Sequence, residues 1–592
     1  MPPLTATIAM PTMPRPEYPR PQWVRRDWLN LNGVWTCAFD PGRSGAERGW
    51  ARSTGFDQPI TVPFCPESPL SGVGQRDFIE RLWYHRRITV PRAWEGRRVR
   101  LHCGAVDYAC ELFVDGQSVG RHYGGTVSFW FDVTRWITFG QPQQLVLAVE
   151  DDTRSCVQPG GKQSHRFASF GCHYTRTTGI WQTVWLEPVA PGGVQDATLL
   201  PDLAGGRLTL VPEFAGARRG ARLEADVLVG DRVVASAAAA ALDGTPLTLA
   251  LPEPRPWSPE DPFLHDVRLR VRDAAGAVLD EVTTYAGLRQ VHVEDGHVWL
   301  NGEPRYLRFV LDQGFYPDGI WTAPTDAALR QDIELSLAAG FNGARLHQKV
   351  FEPRFHYWAD RLGYLTWGES SSWGCDVASE LGARNFLSEW GEILRRDRNH
   401  PSIIGWTPFN ETSGRRETRE HRRLHRDAYA LCHALDPTRP VNDSSGYVHV
   451  QTDLYTVHNY EQDPEKLRAQ LTPTAERGVF RNFPDFDVPH EGQPYIVDEF
   501  GGIKWIPAER APNAPDSWGY GQGPKTLEEF YARLDGQVAV LLSLPHVAGY
   551  CYTQLTDVEQ EQNGIYCYDR AAKFDLARVS AIFRQHPASY PR

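Results

Sequence analysis

From about residue 303 to its end the chain alternates two textures, short apolar runs and stretches of helical periodicity. The apolar runs are RYLRFVL, FNGARLH, YLTWGE, SIIGWTPFN, RPVNDSS, LYTVHNY, PYIVDEF and VAGYCYTQ. Between them lie DAALRQDIELSLAAG, PRFHYWADRLG, ARNFLSEWGEILRRD, TREHRRLHRDAYALCHAL and TLEEFYARLDGQVAVLLS. A strand that returns to its sheet through a helix lies parallel to the strand before it. Eight such strands in about 290 residues are what a (β/α)8 barrel requires. In that fold the carboxyl ends of the strands carry the reactive groups, so the polar residues that close these runs become the candidates.

At 592 residues the chain is too long for one core. The segments before the barrel read as strands. LWYHRRITV, RVRLHCGAV, YACELFVDG, QLVLAVE and IWQTVWLEPV are short, partly alternating and rich in β-branched and aromatic residues, which predicts a jelly-roll β-sandwich over 21–190. After the break VAPGGVQ come RLTLVPEF, ARLEADVLVG, LTLALPEP and LHDVRLRVRD, an immunoglobulin-like sandwich over 191–290, followed by the barrel over 291–592. The proline-rich residues 1–20 are expected to be a disordered leader lying along the surface.

A net charge of -11 argues against nucleic acid or an anionic membrane as partner. No apolar run is long enough to span a bilayer, and the first residues lack the basic start and apolar stretch of a signal peptide. Ten cysteines without CxxC pairs suggest neither a zinc site nor a disulfide frame, so cytoplasmic residence with reduced thiols is expected. A homo-oligomer is compatible with this composition.

Two runs end in a carboxylate, Glu411 after the fourth and Glu499 in the seventh. Strands four and seven face each other across a barrel mouth. Paired carboxylates there suit glycoside hydrolysis, which needs one protonated and one ionised. A retaining enzyme sets them ~5–5.5 Å apart and an inverting one ~6.5–9.5 Å.

Beyond this pair, the chain resembles glycoside hydrolase family 2 over nearly its whole length. The motifs are WLNLNGVWTCAFDP, RLWYHRRITVP, LFVDGQSVGRHYGG, TTGIWQTVWLE, GWTPFNET and PYIVDEFGG, in that order. The resemblance implies Glu411 as general acid/base and Glu499 as nucleophile. It implies Asn410 on the hydroxyl beside the anomeric carbon, Tyr460 as a donor to Glu499, Arg345 as the charge that keeps Glu499 ionised, and Glu369 on the floor. His458, beside Tyr460, is a further substrate candidate.

The chain also departs from the family's pattern. Where Arg-x-Ser-His-Tyr-Pro is usual, it reads RLHQKV, with Gln348 in the place of the histidine and His347 one earlier. The Asn-x-Lys pair that takes a glucuronide's carboxylate is represented only by Asn563. Strand eight usually ends in Trp, and Tyr552 is expected to stack there instead. The aromatic insert DQGFYPDGIWTAP offers Asp312 and Trp321 as pocket wall. These departures suggest an exo-acting retaining glycosidase that releases a terminal neutral sugar, β-galactosidase-like, with a β-galactofuranosidase or α-L-arabinofuranosidase as alternative. An inactive carbohydrate-binding protein is the alternative of another class, against which the intact pair speaks. No cofactor is required; a structural cation, as in some members, is compatible. His421 and His425 are expected on a solvated helix face, and QPGGKQSH lacks phosphate-loop spacing.

Overall fold

The computed structural model describes residues 13–590 except 217–218, 413–417 and 511–515. Leader residues 1–12 lie outside the described residues, but the expectation of disorder does not hold for 13–20. Arg15 is buried and ion-paired with Glu17 and with Glu352 of the barrel, while Tyr18 bonds Glu187. A proline-rich stretch can still be pinned by charge that a sequence pattern does not reveal.

The first sandwich packs a four-stranded sheet on a six-stranded antiparallel one. Alternate residues such as Leu145, Leu147 and Val149 point into a shared core with Trp35, Leu82 and Leu101. The second sandwich sets three strands against four around Leu208, Leu223, Val267 and Val282. A three-stranded hairpin sheet over 291–305 then closes the bottom of the barrel, with Val291, Val298 and Leu300 packed under Leu307 and Phe309.

The barrel strands are β1 (Leu307–Asp312), β2 (Gly343–Leu346), β3 (Leu365–Glu369), β4 (Ile403–Thr407), β5 (Ser444–Ser445), β6 (Tyr455–Asn459), β7 (Tyr495–Gly501) and β8 (Val547–Thr553). Seven of them form one parallel sheet in the order β4-β3-β2-β1-β8-β7-β6. β5 closes the ring. It pairs with Phe409–Asn410 beyond β4, and toward β6 the Thr456 hydroxyl donates to the Ser444 carbonyl at 3.3 Å. The helices α1 (Asp326–Ala339), α2 (Pro353–Leu362), α3 (Glu380–Asp397), α4 (Arg419–Leu435), α5 (Pro464–Leu471), α6 (Leu527–Ser543) and α7 (Leu576–Phe583) surround it. Six of these start where the sequence supplies a cap: Thr325, Ser379, Thr418, Asp463, Thr526 and Asp575 each accept a bond from the first turn, while α2 opens on Pro353 without a side-chain cap. Among the described residues no helix separates β5 from β6, so the barrel rim there is a loop.

Side chains alternate across the barrel wall. Leu307, Phe309, Leu311, Trp367, Ile496 and Cys551 fill the interior, while Val310, Ala344, Leu346, Val497, Tyr550 and Tyr552 face the helices. No helix is long and apolar enough to cross a membrane, and all ten cysteines are free thiols.

Candidate active site

Inward alternation puts Arg345 of β2 and Glu369 of β3 inside the mouth, both fully buried. Arg345 Nη1 donates to Glu369 at 2.7 Å and to Asn410 Oδ1 at 3.1 Å, while its Nη2 bonds Glu499. One guanidinium thus fixes three side chains from three strand ends, as its planar fork allows. Asn410 Nδ2 is left buried without a partner, a donor held ready for a ligand. Burial pushes Glu369 up to about 7 despite Arg345. His347 Nδ1 lies 3.1 Å from Glu369, and burial holds its imidazole well below the usual range, neutral.

β7 brings in two successive carboxylates, which a regular strand cannot do. Its pairing with β8 is irregular between Val497 and Phe500, and its pairing with β6 shifts between Val457 and His458. Such bulges re-aim side chains beside functional sites. Asp498 accepts from Ser445 Oγ at 2.6 Å, and Glu499 accepts from Tyr460 at 2.5 Å. Tyr520 lies flat on the Tyr460 ring, with centroids 3.4 Å apart.

Glu411 follows Asn410 with φ +49°, and Gln348 and Tyr447 are also left-handed, at +52° and +61°. Three non-glycine residues in that region around one site amount to stored backbone strain. The turn aims Glu411 across the mouth. His458 bridges the pair: Nδ1 lies 2.7 Å from Glu411 Oε1 and 3.3 Å from Glu499 Oε2, with Nε2 3.0 Å from Ser445 Oγ and 3.4 Å from Asp498. Burial opposes its charge, but Glu499, Asp498 and Glu411 outweigh that and push His458 up to about 10. For Glu411 burial acts upward, but the His458 bond and charge prevail and its carboxyl is lowered. One ligand oxygen or nitrogen from each of Glu411, His458 and Glu499 falls within 4.8 Å of the others. That geometry could also hold a cation, but Nδ1 would first have to give up the proton its two carboxylate neighbours favour.

Of the sequence candidates, Glu411, Glu499, Asn410, Arg345, His347, Glu369, Tyr460 and His458 therefore converge on one cluster. Three do not. Tyr552 faces outward, fully buried against Phe341, Phe500 and Phe583, so it cannot stack on a ligand in the mouth; Thr553, next along, reaches Tyr460 at 3.0 Å. Trp321 is 1% exposed and packs on Trp181 of the first sandwich, anchoring the domain interface. Asp312 turns back to accept from Gly314 N at 2.9 Å, and burial beside Asp332 pushes it up to about 7. His421 and His425 are not solvated either: both are fully buried, and each lies within 3.2 Å of the Thr412 hydroxyl, tethering the residue after Glu411.

The sandwich domain is expected to wall the barrel mouth, but no local signal in the sequence marks the residues that do so. Residues 151–178 of the first sandwich roof the mouth, with Trp518 donating to Gly171 O at 2.6 Å and Gln313 to Tyr174 at 2.8 Å, while Tyr174 itself bonds Glu561. Asn563 is held by its amide between Gln554 and Glu561. Trp373, at the rim, donates to Asn410 O at 3.0 Å.

Comparison with known proteins matches three family models in order: glycosyl hydrolases family 2 sugar binding domain over 29–158, glycosyl hydrolases family 2 over 217–289, and its TIM barrel domain over 291–503. A β-glucuronidase of Paenibacillus borealis is 24% identical over 80% of this chain and 82% of its own. The β-glucuronidase of Canis lupus familiaris is 27% identical over 73% of this chain and 69% of its own. A β-galactosidase of Thermoanaerobacter pseudethanolicus is 26% identical over 60% of this chain and 48% of its own. Among solved structures, Lactobacillus rhamnosus β-glucuronidase superposes with a TM-score of 0.80 at 20% identity, covering 96% of this chain and 99% of that one, which establishes the shared fold. With three domain signatures in sequence and that architecture beneath them, the chain belongs to glycosyl hydrolases family 2 and is a glycoside hydrolase.

Proposed function

We propose that this enzyme is a retaining exo-β-glycosidase, with Glu411 as acid/base and Glu499 as nucleophile, acting on β-glucuronides. The observation that carries the mechanism is the approach of the two carboxylates, with oxygens within 4.8 Å of each other. So close an approach suits the short carboxyl separation of a double displacement better than the wider gap an inverting enzyme keeps for its water. Glu499 attacks the anomeric carbon as the bond to the leaving oxygen breaks and Glu411 protonates that oxygen. Glu411 then takes a proton from water, whose oxygen displaces Glu499. The proton that Glu411 needs at the start rests on His458, one hydrogen bond away. Asn410 Nδ2 supplies a bond to the hydroxyl next to the reacting carbon. The roof of residues 151–178 favours cleavage of a terminal sugar.

The choice of sugar departs from the neutral residue that the motif changes suggested. Four of five relatives that align over more than two thirds of this chain are β-glucuronidases and the fifth is a β-galactosidase, which favours the uronide and either of them over a furanoside. The test is an aryl glycoside panel with NMR of the first-formed product. A β-anomer from an aryl β-glucuronide, and loss of turnover in Glu499→Ala, are expected. An α-anomer, or turnover that survives Glu499→Ala, would overturn the mechanism. Turnover of galactosides alone would overturn the sugar while leaving the mechanism.

A further inference from the structure

The roof loop is held to the barrel by its own backbone. Gly160 N and Gly161 N donate to Trp373 O at 2.8 and 3.0 Å, and Gly161 N also reaches Ser371 O at 3.0 Å. Gly161 has φ +58°, and a Cβ there would stand 2.1 Å from the Gln348 carbonyl. Only glycine allows so close an approach in that conformation. The residue that this staple delivers is Lys162. Tyr174 N donates to its carbonyl at 2.8 Å.

Lys162 is 7% exposed as a residue. Its ammonium sits 5.5 Å from the centre of the Trp373 ring and 6.0 Å from that of Tyr174, against two faces of the mouth. It makes no hydrogen bond or ion pair with any described residue. Its positive charge acts to lower the pKa of both Glu411 and His347, as expected of a cation facing the same cavity. The other cations nearby are engaged. Arg345 holds Glu369 and Glu499, Lys349 donates to Gly314 O and Trp321 O, and Lys573 is paired with Asp557 at 2.6 Å. An ammonium held in a largely enclosed wall without an anion is poorly compensated, and aromatic rings alone offset little of that. That setting suits a negative group brought by the ligand.

We propose that Lys162 reads the carboxylate of a uronic acid held between Glu411 and Glu499, doing from the sandwich domain what the engaged Lys349 and Lys573 of the barrel do not do. The assignment rests on the uronide reading above. It makes Lys162 a specificity-determining residue contributed by a different domain from the carboxylate pair.

The test compares full-length wild type with Lys162→Met and Lys162→Arg on 4-nitrophenyl β-glucuronide, β-galacturonide, β-glucoside and β-galactoside. The readout is the uronide-to-neutral ratio of kcat/KM. In Lys162→Met that ratio is expected to fall about 100-fold, the effect of truncating one partner of a buried charge pair, and Lys162→Arg is expected to restore part of it. Competitive inhibition by free glucuronate should weaken in parallel, and that of glucose should not. Equal losses on both substrate classes would overturn the proposal, since that is what a packing role or a change at Glu411 alone would give. An unchanged ratio would overturn it as well. A wild type that prefers neutral glycosides, yet still needs Glu499 and retains configuration, would sink the uronide reading and Lys162 together while the double displacement stands. Thermal melts of each variant exclude misfolding as the cause.

Discussion

Replacing His458 by Asn tests whether the acid proton is shared. In the resting site the imidazolium lies one 2.7 Å bond from Glu411, and the proton is held with a value of about 10. The pair therefore keeps one proton between them until strongly basic pH, and kcat/KM falls only when the pair loses it, because coupled groups titrate jointly. With charge centres about 4 Å apart and an effective dielectric of about 20, the imidazolium favours ionised Glu411 by roughly 4 kcal/mol, equivalent to about 3 pH units. In His458→Asn that field is gone and burial, which acts upward on Glu411, is no longer opposed by it. The carboxyl should then titrate higher than it does beside the imidazolium, yet below the value of about 10 at which the pair loses its proton. The basic limb of kcat/KM against pH should therefore move down from near 10 by more than about one unit, measured between pH 5 and 11 on an aryl glycoside. The position of the limb is diagnostic whatever the drop in amplitude. A limb that stays within half a unit of wild type would refute the shared proton.

Three other perturbations follow from buried charge and packing. His449 is fully buried on Asp443 at 2.7 Å, and although burial acts downward the aspartate pushes it up to about 9. Its unfolded value is about 6.5, so the bond stabilises below that pH by about 3 kcal/mol and the gain disappears as pH rises through 9; urea unfolding of wild type against His449→Asn should show a difference at pH 6 that vanishes by pH 10. Arg345→Met leaves Glu369 and Glu499 buried without their cation and should cost about 3–5 kcal/mol in denaturant unfolding along with most activity; wild-type turnover would contradict its role. Trp321→Ala should lower stability by about 3–5 kcal/mol through the domain interface, and a melting temperature within a degree of wild type would show that the anchor is dispensable.

The barrel was legible because its alternation of apolar runs and helical periods survives in the residues themselves. Arg345, Glu369, Asn410 and Glu499 were legible because each closes or interrupts an apolar strand with a charge or amide. Tyr552 was misplaced for the opposite reason. A parallel strand buried on both faces is apolar at every position, so VAGYCYT offers no alternation from which to read which side faces in. One residue of register decides between Tyr552 and Thr553. Asp498 was missed because it and Glu499 share the interior only through a bulge, which leaves no mark in PYIVDEF. His421 and His425 were misread because their helix is crowded with arginines, and burial of two imidazoles against Thr412 depends on tertiary packing.

The roof loop shows where local pattern stops. QPGGKQSH has no helical or strand period and matches no phosphate-binding spacing, so nothing local assigns it a role. Its two glycines acquire meaning only against Trp373 and Gln348, residues roughly two hundred positions away. The sandwich covers the rim beyond β1, β2 and β3, where Gln313, Gln348, Ser371 and Trp373 meet it, and its packing on the barrel through Trp181 and Trp321 supports the pocket. Loosening that interface should therefore relax discrimination between sugars at temperatures where the Arg345 cluster, which is wholly barrel-built, still holds Glu499 in place.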